Sequence, residues 1–428
     1  MTTHPNPRAA VARTTVQLLT DRTFGPWFWG NVVSNSGNWL FNVTAAVVVF
    51  ELSGSALLVG TVSVAQFLPL VLLSPFAGAL SDRLDRRRLL LASQAFSATA
   101  AGALGLAALV IGVDDFPGTW PIILCAFGIG VGQSVAAPAL NALVPALVDD
   151  VDLEGAVALT SVTFNVGRAL GPATSGLLLA TLGAEAAFVA NGLSFFALIA
   201  ALLVIRVQPA ERAPGADRSV RAGLRFVRAD RVTVLLLAGI AATGFAADPA
   251  ITLAPPLAAE LGGGETLTAI LVSAFGIAAA PAAASSGRVA RSLGGQRTAA
   301  LGGSGIVLGL ATTGLAPVAT VAVIGFGITG AGFVFAVTGF TTLLQRRVPD
   351  AFRGRVMALW SVAFLGNRPI AATVDGAASD AFGPRLALLV AMTAAMAAVV
   401  IAWRLRHAEV DRRLDGEPSE PSDGADAT

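Results

Sequence analysis

Gly78-Ala79-Leu80-Ser81-Asp82-Arg83-Leu84-Asp85-Arg86-Arg87-Arg88 separates two long apolar runs, residues 57–79 and 89–110. Each run is long enough to cross a bilayer as a helix. Arg83, Arg86, Arg87 and Arg88 cannot lie in hydrocarbon cheaply, so this stretch reads as a short loop on one side of a membrane. The positive-inside bias makes that side the cytoplasm. The stretch therefore predicts an all-α polytopic membrane protein and begins to orient it.

Composition points the same way. Of 428 residues, 55% are hydrophobic and 13% charged, where soluble domains carry roughly 25% charged residues. Mean hydropathy is +0.73. A soluble fold would have too few charges to cover its surface. There is no lysine and no tyrosine, and the net charge is +1, so nothing in the charge balance suggests nucleic acid. The single Cys125 excludes an internal disulfide or a multi-cysteine metal site. No Walker-type phosphate loop is present, which disfavours ATP-driven transport. The two histidines form no metal cluster, and no nucleophile triad is apparent. No cofactor is expected, and the chain does not read as an enzyme. The polar first 21 residues, followed by a full spanning length, do not read as a signal peptide.

Twelve transmembrane helices are expected, over residues 24–50, 57–79, 89–111, 119–142, 156–182, 185–205, 232–257, 267–286, 298–316, 318–343, 355–379 and 383–403. Basic residues fall almost wholly in the loops of one face. The other face holds Glu51, Asp114, Asp115, Glu185, Glu260, Glu265 and Asp380, with Arg385 as its only basic residue. Both termini are accordingly expected in the cytoplasm. The division is a cytoplasmic segment 1–23, a six-helix bundle 24–205, a cytoplasmic linker 206–231, a second six-helix bundle 232–403, and a disordered tail 404–428. Weak repetition supports two pseudo-symmetric halves. Gly78–Arg87 corresponds to Gly287–Gln296, and Val144-Pro145 to Val348-Pro349. Such repeats belong to secondary transporters.

From residue 24 to 404 the pattern resembles the major facilitator superfamily. Gly78, Asp82, Arg83, Arg86 and Arg87 fit that superfamily's loop signature, although Asp85 stands where glycine is usual. The second copy keeps Gly287 and Gly294 but has Arg291 in the aspartate's place. Gly167, Gly171, Pro172 and Gly176, with Arg168 among them, look like the fifth-helix motif of proton-exchanging exporters. Ala137-Pro138-Ala139 and Arg353-Gly354-Arg355 are similar to a bacterial branch that includes siderophore and macrolide efflux proteins. The resemblance implies two pseudo-symmetric bundles, alternating access, and a gating role for the loop motif.

The residues themselves nominate sites. Asp82, at the end of a helix, is placed to hold the cytoplasmic ends together by pairing with the opposite half; capping the next helix is the plainer alternative. The neighbouring arginines serve at least as topology anchors. Gly167, Gly171, Pro172 and Gly176 permit close helix approach, read as a seam against leakage or as ordinary packing. Asn31, Asn35, Asn38 and Asn42 recur at intervals of four, three and four, placing them on one helix face. That stripe lines a substrate path or glues helices together. Gln133 is a weaker example. Arg168, in the middle third of its helix, needs a partner or a wet cavity; snorkelling to an interface is the alternative. Asp248, before Pro249, and Asp375 are the proton-coupling candidates, with Arg368 a possible partner of Asp375; the plainer alternative puts both acids near the extracellular ends, facing water. Apolar walls with Phe41, Phe67, Phe245, Phe275, Phe335 and Phe340 suit an amphipathic or lipophilic cargo.

The expectation is a monomeric secondary exporter in the cytoplasmic membrane, exchanging a small molecule for protons. Uptake or uniport by the same fold is the alternative, as is a non-transporting sensor, which would have a collapsed cavity.

Overall fold

The computed structural model describes residues 13–205 and 220–414, and among them all regular structure is helical. The expected linker stretch 206–219 and the ends 1–12 and 415–428 lie outside the described residues. A short helix α1 (Thr15–Leu19) leads into α2 (Phe24–Ser53), α3 (Ala56–Arg83), α4 (Arg86–Ile111), α5 (Trp120–Leu143) and α6 (Leu153–Val204). Then follow α7 (Val220–Ala229), α8 (Arg231–Ala246), α9 (Pro249–Thr252), α10 (Ala254–Glu260) and α11 (Gly264–Leu293). The chain continues through α12 (Gly295–Gly314), α13 (Ala319–Arg347), α14 (Asp350–Leu365), α15 (Arg368–Phe382) and α16 (Pro384–Leu414).

Eight of these stretches are long and apolar enough to cross a bilayer. The chain is thus an all-α polytopic membrane protein. Asparagines dilute the apolar content of α2, and glycine, serine and threonine that of α12, so neither is among the eight. Near Gly366-Asn367 the helix breaks, leaving α14 with 16 residues and α15 with 15. Each is short of the roughly 20 residues a spanning helix needs.

Local sequence explains the breaks. Gly183 takes φ +83° inside α6, a conformation open to glycine and costly to other residues. It splits the 52-residue helix into arms 153–182 and 184–204. Asp248-Pro249 ends the regular run of α8, since proline has no N–H for the helix ladder. Gly54, at φ +64°, closes α2 with a left-handed cap. Asp85 caps α4 by accepting the Arg88 N–H at 2.9 Å. The departure from glycine at Asp85 therefore has a structural use. In place of the expected end near residue 403, α16 continues to Leu414, because His407–Leu414 contains neither proline nor glycine to stop it.

In the first part, α2 lies along α6, α4 packs on α5 and α6, and α3 packs on α5. In the second, α12 packs on α13 and α16, α11 on α13, and α8 on α16 and α13. The two parts meet where α3 packs on α15 and α6 on α11. Small residues make these meetings close. A methyl group at Gly60 would collide with the Ala372 carbonyl, one at Gly376 with the Ala56 carbonyl, and one at Gly176 with Ala269. These contacts cluster toward the end that carries the α2–α3 and α15–α16 turns.

At that end Asp380 accepts the Ala56 N–H at 2.6 Å and the Ser55 hydroxyl at 2.5 Å. Arg385, the exception to the charge pattern, pairs with Glu260 at 2.5 Å and donates to the Gly314 carbonyl at 3.2 Å. Arg13 lies at the opposite, arginine-rich end. It binds Asp152 at 2.5 Å, and this bond holds the Asp152 carboxyl below the usual carboxylate range. Arg347 does the same to Asp230 with bonds of 2.7 and 2.9 Å.

Candidate functional site

A cavity of about 520 Å³ lies between the two parts, within the range of small-molecule sites. On α2 its lining runs from Trp27 to Asn42, and on α5 from Gln133 to Leu140, with Val144 in the turn that follows. It therefore occupies the portion of the molecule nearer the arginine-rich end.

All four asparagines of the α2 stripe line this cavity, as do Gln133 and Arg168. The helical spacing of the four asparagines puts them on one face of α2, the one that lines the cavity. Several also bind neighbouring helices. Asn31 donates to the Thr163 hydroxyl at 3.2 Å, and Asn35 to the Thr163 carbonyl at 3.0 Å. Gln133 donates to the Asn38 Oδ1 at 3.0 Å. The stripe is both wall and interhelical glue. Gln66 and Gln94 extend the polar wall, each with a buried Oε1 that accepts no hydrogen bond. Gln94 belongs to no helical repeat in the sequence; its one signal there is a glutamine within an apolar run.

Arg168 is 8% exposed. Its guanidinium carbon sits 4.3 Å from the ring centres of Phe275 and Phe333 and 5.1 Å from that of Trp39. Of the expected settings it takes cavity lining; no ion pair to it is found among the described residues, and its burial is not that of a side chain snorkelling to an interface. Arg368 lines the same cavity, 4.7 Å from the Phe67 ring and 5.8 Å from Trp39. Its carboxylate partner is Asp248, at 3.9 Å, rather than Asp375. The expected pair within one helix fails because residues seven apart stand two turns from each other. The break at Pro249 instead brings Asp248 across to the first turn of α15.

Asp248 and Asp375 are 1% and 0% exposed, so neither faces water. Thr252 donates to Asp248 Oδ2 at 2.6 Å. Both oxygens of Asp375 are buried without a hydrogen bond, and Asp248 is within electrostatic range. Burial of such groups is expensive. The two acids stand behind the cavity wall; Arg368 forms the wall itself.

In the loop motif, the Gly78, Asp82 and Arg83 side chains lie outside the described residues. Arg87 donates to the Leu202 carbonyl at 2.5 Å and to the Leu203 carbonyl at 2.9 Å, capping the end of α6. In the second copy Gln296 donates to the Ala402 carbonyl of α16 at 2.9 Å. Arg86 also has interaction partners in the structure. The helix-5 motif divides in two. Gly167 and Gly171 lie against Asn35 and Trp39 of α2, whereas Gly176 meets Ala269 of α11 and so stands between the two parts. Pro172 is buried. Of the phenylalanines named from sequence, Phe67 lines the cavity and Phe275 touches Arg168, while Phe41 and Phe340 are core residues.

Residues 14–425 match the family described as transmembrane secretion effector, within the major facilitator superfamily. The chain belongs to this family. It is a secondary transporter of small molecules, of the efflux type, and not an enzyme. Among the described residues no group of His, Cys, Asp or Glu is placed to hold a metal ion. The chain is similar to the multidrug efflux pump Tap of Mycolicibacterium fortuitum, at 27% identity over 82% of this chain and 88% of the relative. It is 28% identical to the enterobactin exporter EntS of Escherichia coli O1:K1, over 70% and 71% of the two chains.

Solved structures share the fold. An inward-facing bacterial homologue of the lysosomal transporter Spinster superposes with a TM-score of 0.71 at 14% identity, covering 93% of this chain and 98% of the other. A bacterial homologue of ferroportin, 17% identical, gives 0.67 in its inward-facing state, covering 92% and 99% of the two chains. Its outward-facing state gives 0.59, covering 89% and 98%.

Proposed function

We propose that this transporter works as a monomer in the cytoplasmic membrane, exporting a small molecule from the cytoplasm in exchange for protons. Two six-helix halves, residues 24–205 and 232–403, rock about the central cavity, and both termini lie in the cytoplasm. The observation that carries this reading is the cavity itself. It is walled by amides, aromatics and two arginines, it backs onto the buried Asp248–Arg368 pair, and small-residue contacts close one end. A collapsed interior, as a non-transporting sensor would have, is not what this cavity presents.

The paired caps support the two-half reading. Arg87 caps the last helix of the first half, and Gln296, its counterpart in the repeat, caps that of the second. The excess of arginine at the end nearer the cavity supports a cytoplasmic opening. The higher TM-score against the inward-facing ferroportin homologue supports the same state. Asp248 is the group best placed to exchange a proton, because gaining one removes its attraction for Arg368 on the cavity wall. Asp375, within its field, is the second. The loop motif around Asp82 and the Gly176 contact are assigned to gating.

The test is accumulation of a chemically diverse compound panel in cells with and without the protein. At least one compound accumulates less when the wild type is present, and Asp248→Asn abolishes that difference at equal membrane abundance. Unchanged accumulation of every compound would contradict export.

A further inference from the structure

The cavity wall contains Arg168 and Arg368 and no acidic side chain among the described residues. Arg368 has one acid behind it, at the long distance of 3.9 Å. Arg168 has none: it makes no ion pair or hydrogen bond with the described residues and rests against Phe275, Phe333 and Trp39. Aromatic faces attract a guanidinium, but they do not accept its five in-plane N–H donors. The Phe275 and Phe333 ring centres are 5.9 Å apart, so the two rings flank the guanidinium on neighbouring sides and leave it open toward the cavity it lines. A guanidinium with no hydrogen-bond partner there can bind a carboxylate through two parallel hydrogen bonds.

Beside it the wall is flat and aromatic. Phe333 stacks on Phe364 with ring centres 5.8 Å apart, and Phe364 on Trp360 at 5.1 Å. All three line the cavity, and the ladder begins at the ring that holds Arg168.

We propose that the cavity selects planar aromatic carboxylates, with Arg168 binding the carboxylate and the Phe333–Phe364–Trp360 ladder stacking on the ring system. This rests on the export reading and names its cargo class. It narrows the amphipathic cargo expected from sequence to an anion. It also disfavours aromatic cations, which would meet two guanidiniums and no acidic side chain on the wall among the described residues. Export of such an anion would be assisted by a membrane potential negative inside.

The test measures equilibrium binding of three matched probes to the purified full-length protein: 1-naphthoate, its neutral amide 1-naphthamide, and the cation 1-naphthylmethylammonium. The expected result is saturable binding of 1-naphthoate, at least about tenfold tighter than either other probe, as one charge-assisted hydrogen bond supplies. In Arg168→Gln the preference for naphthoate over the amide collapses. The comparison among probes on the wild type stands even if that variant does not fold. Equal binding of naphthoate and amide, preference for the cation, or no saturable naphthoate binding would each overturn the proposal. Export is tested separately, by proton-driven flux. Lost anion preference with flux intact removes only the cargo class, and lost flux with the preference intact removes only the export reading.

Discussion

The Asp380 carboxylate of α15 accepts the backbone N–H of Ala56 at the start of α3, at 2.6 Å. A residue of the second part thus satisfies an amide that its own helix cannot, as a helix N-cap does. The bond exists only while the two parts touch at that end. Asp380→Ala should therefore cost the closed state about 1 kcal/mol. In a Cys125→Ser background, Ala372→Cys, at a position fully buried at this contact, should react faster with a thiol reagent once Asp380 is replaced. Equal labelling rates would remove Asp380 from the gate.

The glycine contacts make a second prediction. A valine at Gly60 would overlap the Ala372 carbonyl, and overpacking of this kind costs about 1–3 kcal/mol. Gly60→Val should open the same end, raising labelling at Ala372→Cys and lowering transport. Gly102→Ala, where nothing lies within 4 Å of an added methyl, is the matched control and should change neither. Equal behaviour of the two variants would refute the close-approach argument.

A third prediction concerns pH. Glu51, at the end of α2, faces Glu265 at the start of α11, with Asp114 nearby. Partial withdrawal from water, then the Glu265 carboxyl, then the Asp114 charge push the Glu51 carboxyl up from its ordinary 4.5 to about 8. When the parts separate, the carboxyl returns toward the ordinary value. The closed end therefore holds a proton that the separated end releases between 4.5 and 8. Closure is favoured at acid pH, weakens as pH rises through about 8, and loses its pH dependence below 4.5. Spin-label distances between Leu52→Cys and Phe382→Cys should lengthen as pH rises. Glu51→Gln should flatten that response. A distance that shortens with rising pH would reverse the sign of the argument.

Much of this was legible in the sequence, for a physical reason. The α2 asparagines repeat with the helical period, so one helix alone fixes their shared face, and all four reached the cavity. The charged stretch at Arg83–Arg88 marked the α3–α4 turn because hydrocarbon excludes charge. The expected boundary between residues 182 and 185 coincides with Gly183, whereas the expected span 232–257 runs through the break at Pro249. The Arg368–Asp248 pair was not legible. It joins two helices interrupted at Pro249 and at Gly366-Asn367, and periodicity along one helix says nothing about which helices meet. The same limit hid the Arg168 cradle, whose rings come from α2, α11 and α13. Asp85 departs from the motif's glycine, and only the fold shows that it caps α4.

The most direct measurement is flux in proteoliposomes under an imposed pH gradient, using the cargo that the cellular panel identifies. Reversing the gradient should reverse the direction of net cargo movement. Asp248→Asn should reduce gradient-driven flux by at least about tenfold while leaving exchange of cargo for cargo measurable, as expected when the group lost is the one that carries the proton. Flux in the wild type that ignores the gradient, or an Asp248→Asn variant as strongly driven as the wild type, would contradict proton-coupled export through this site.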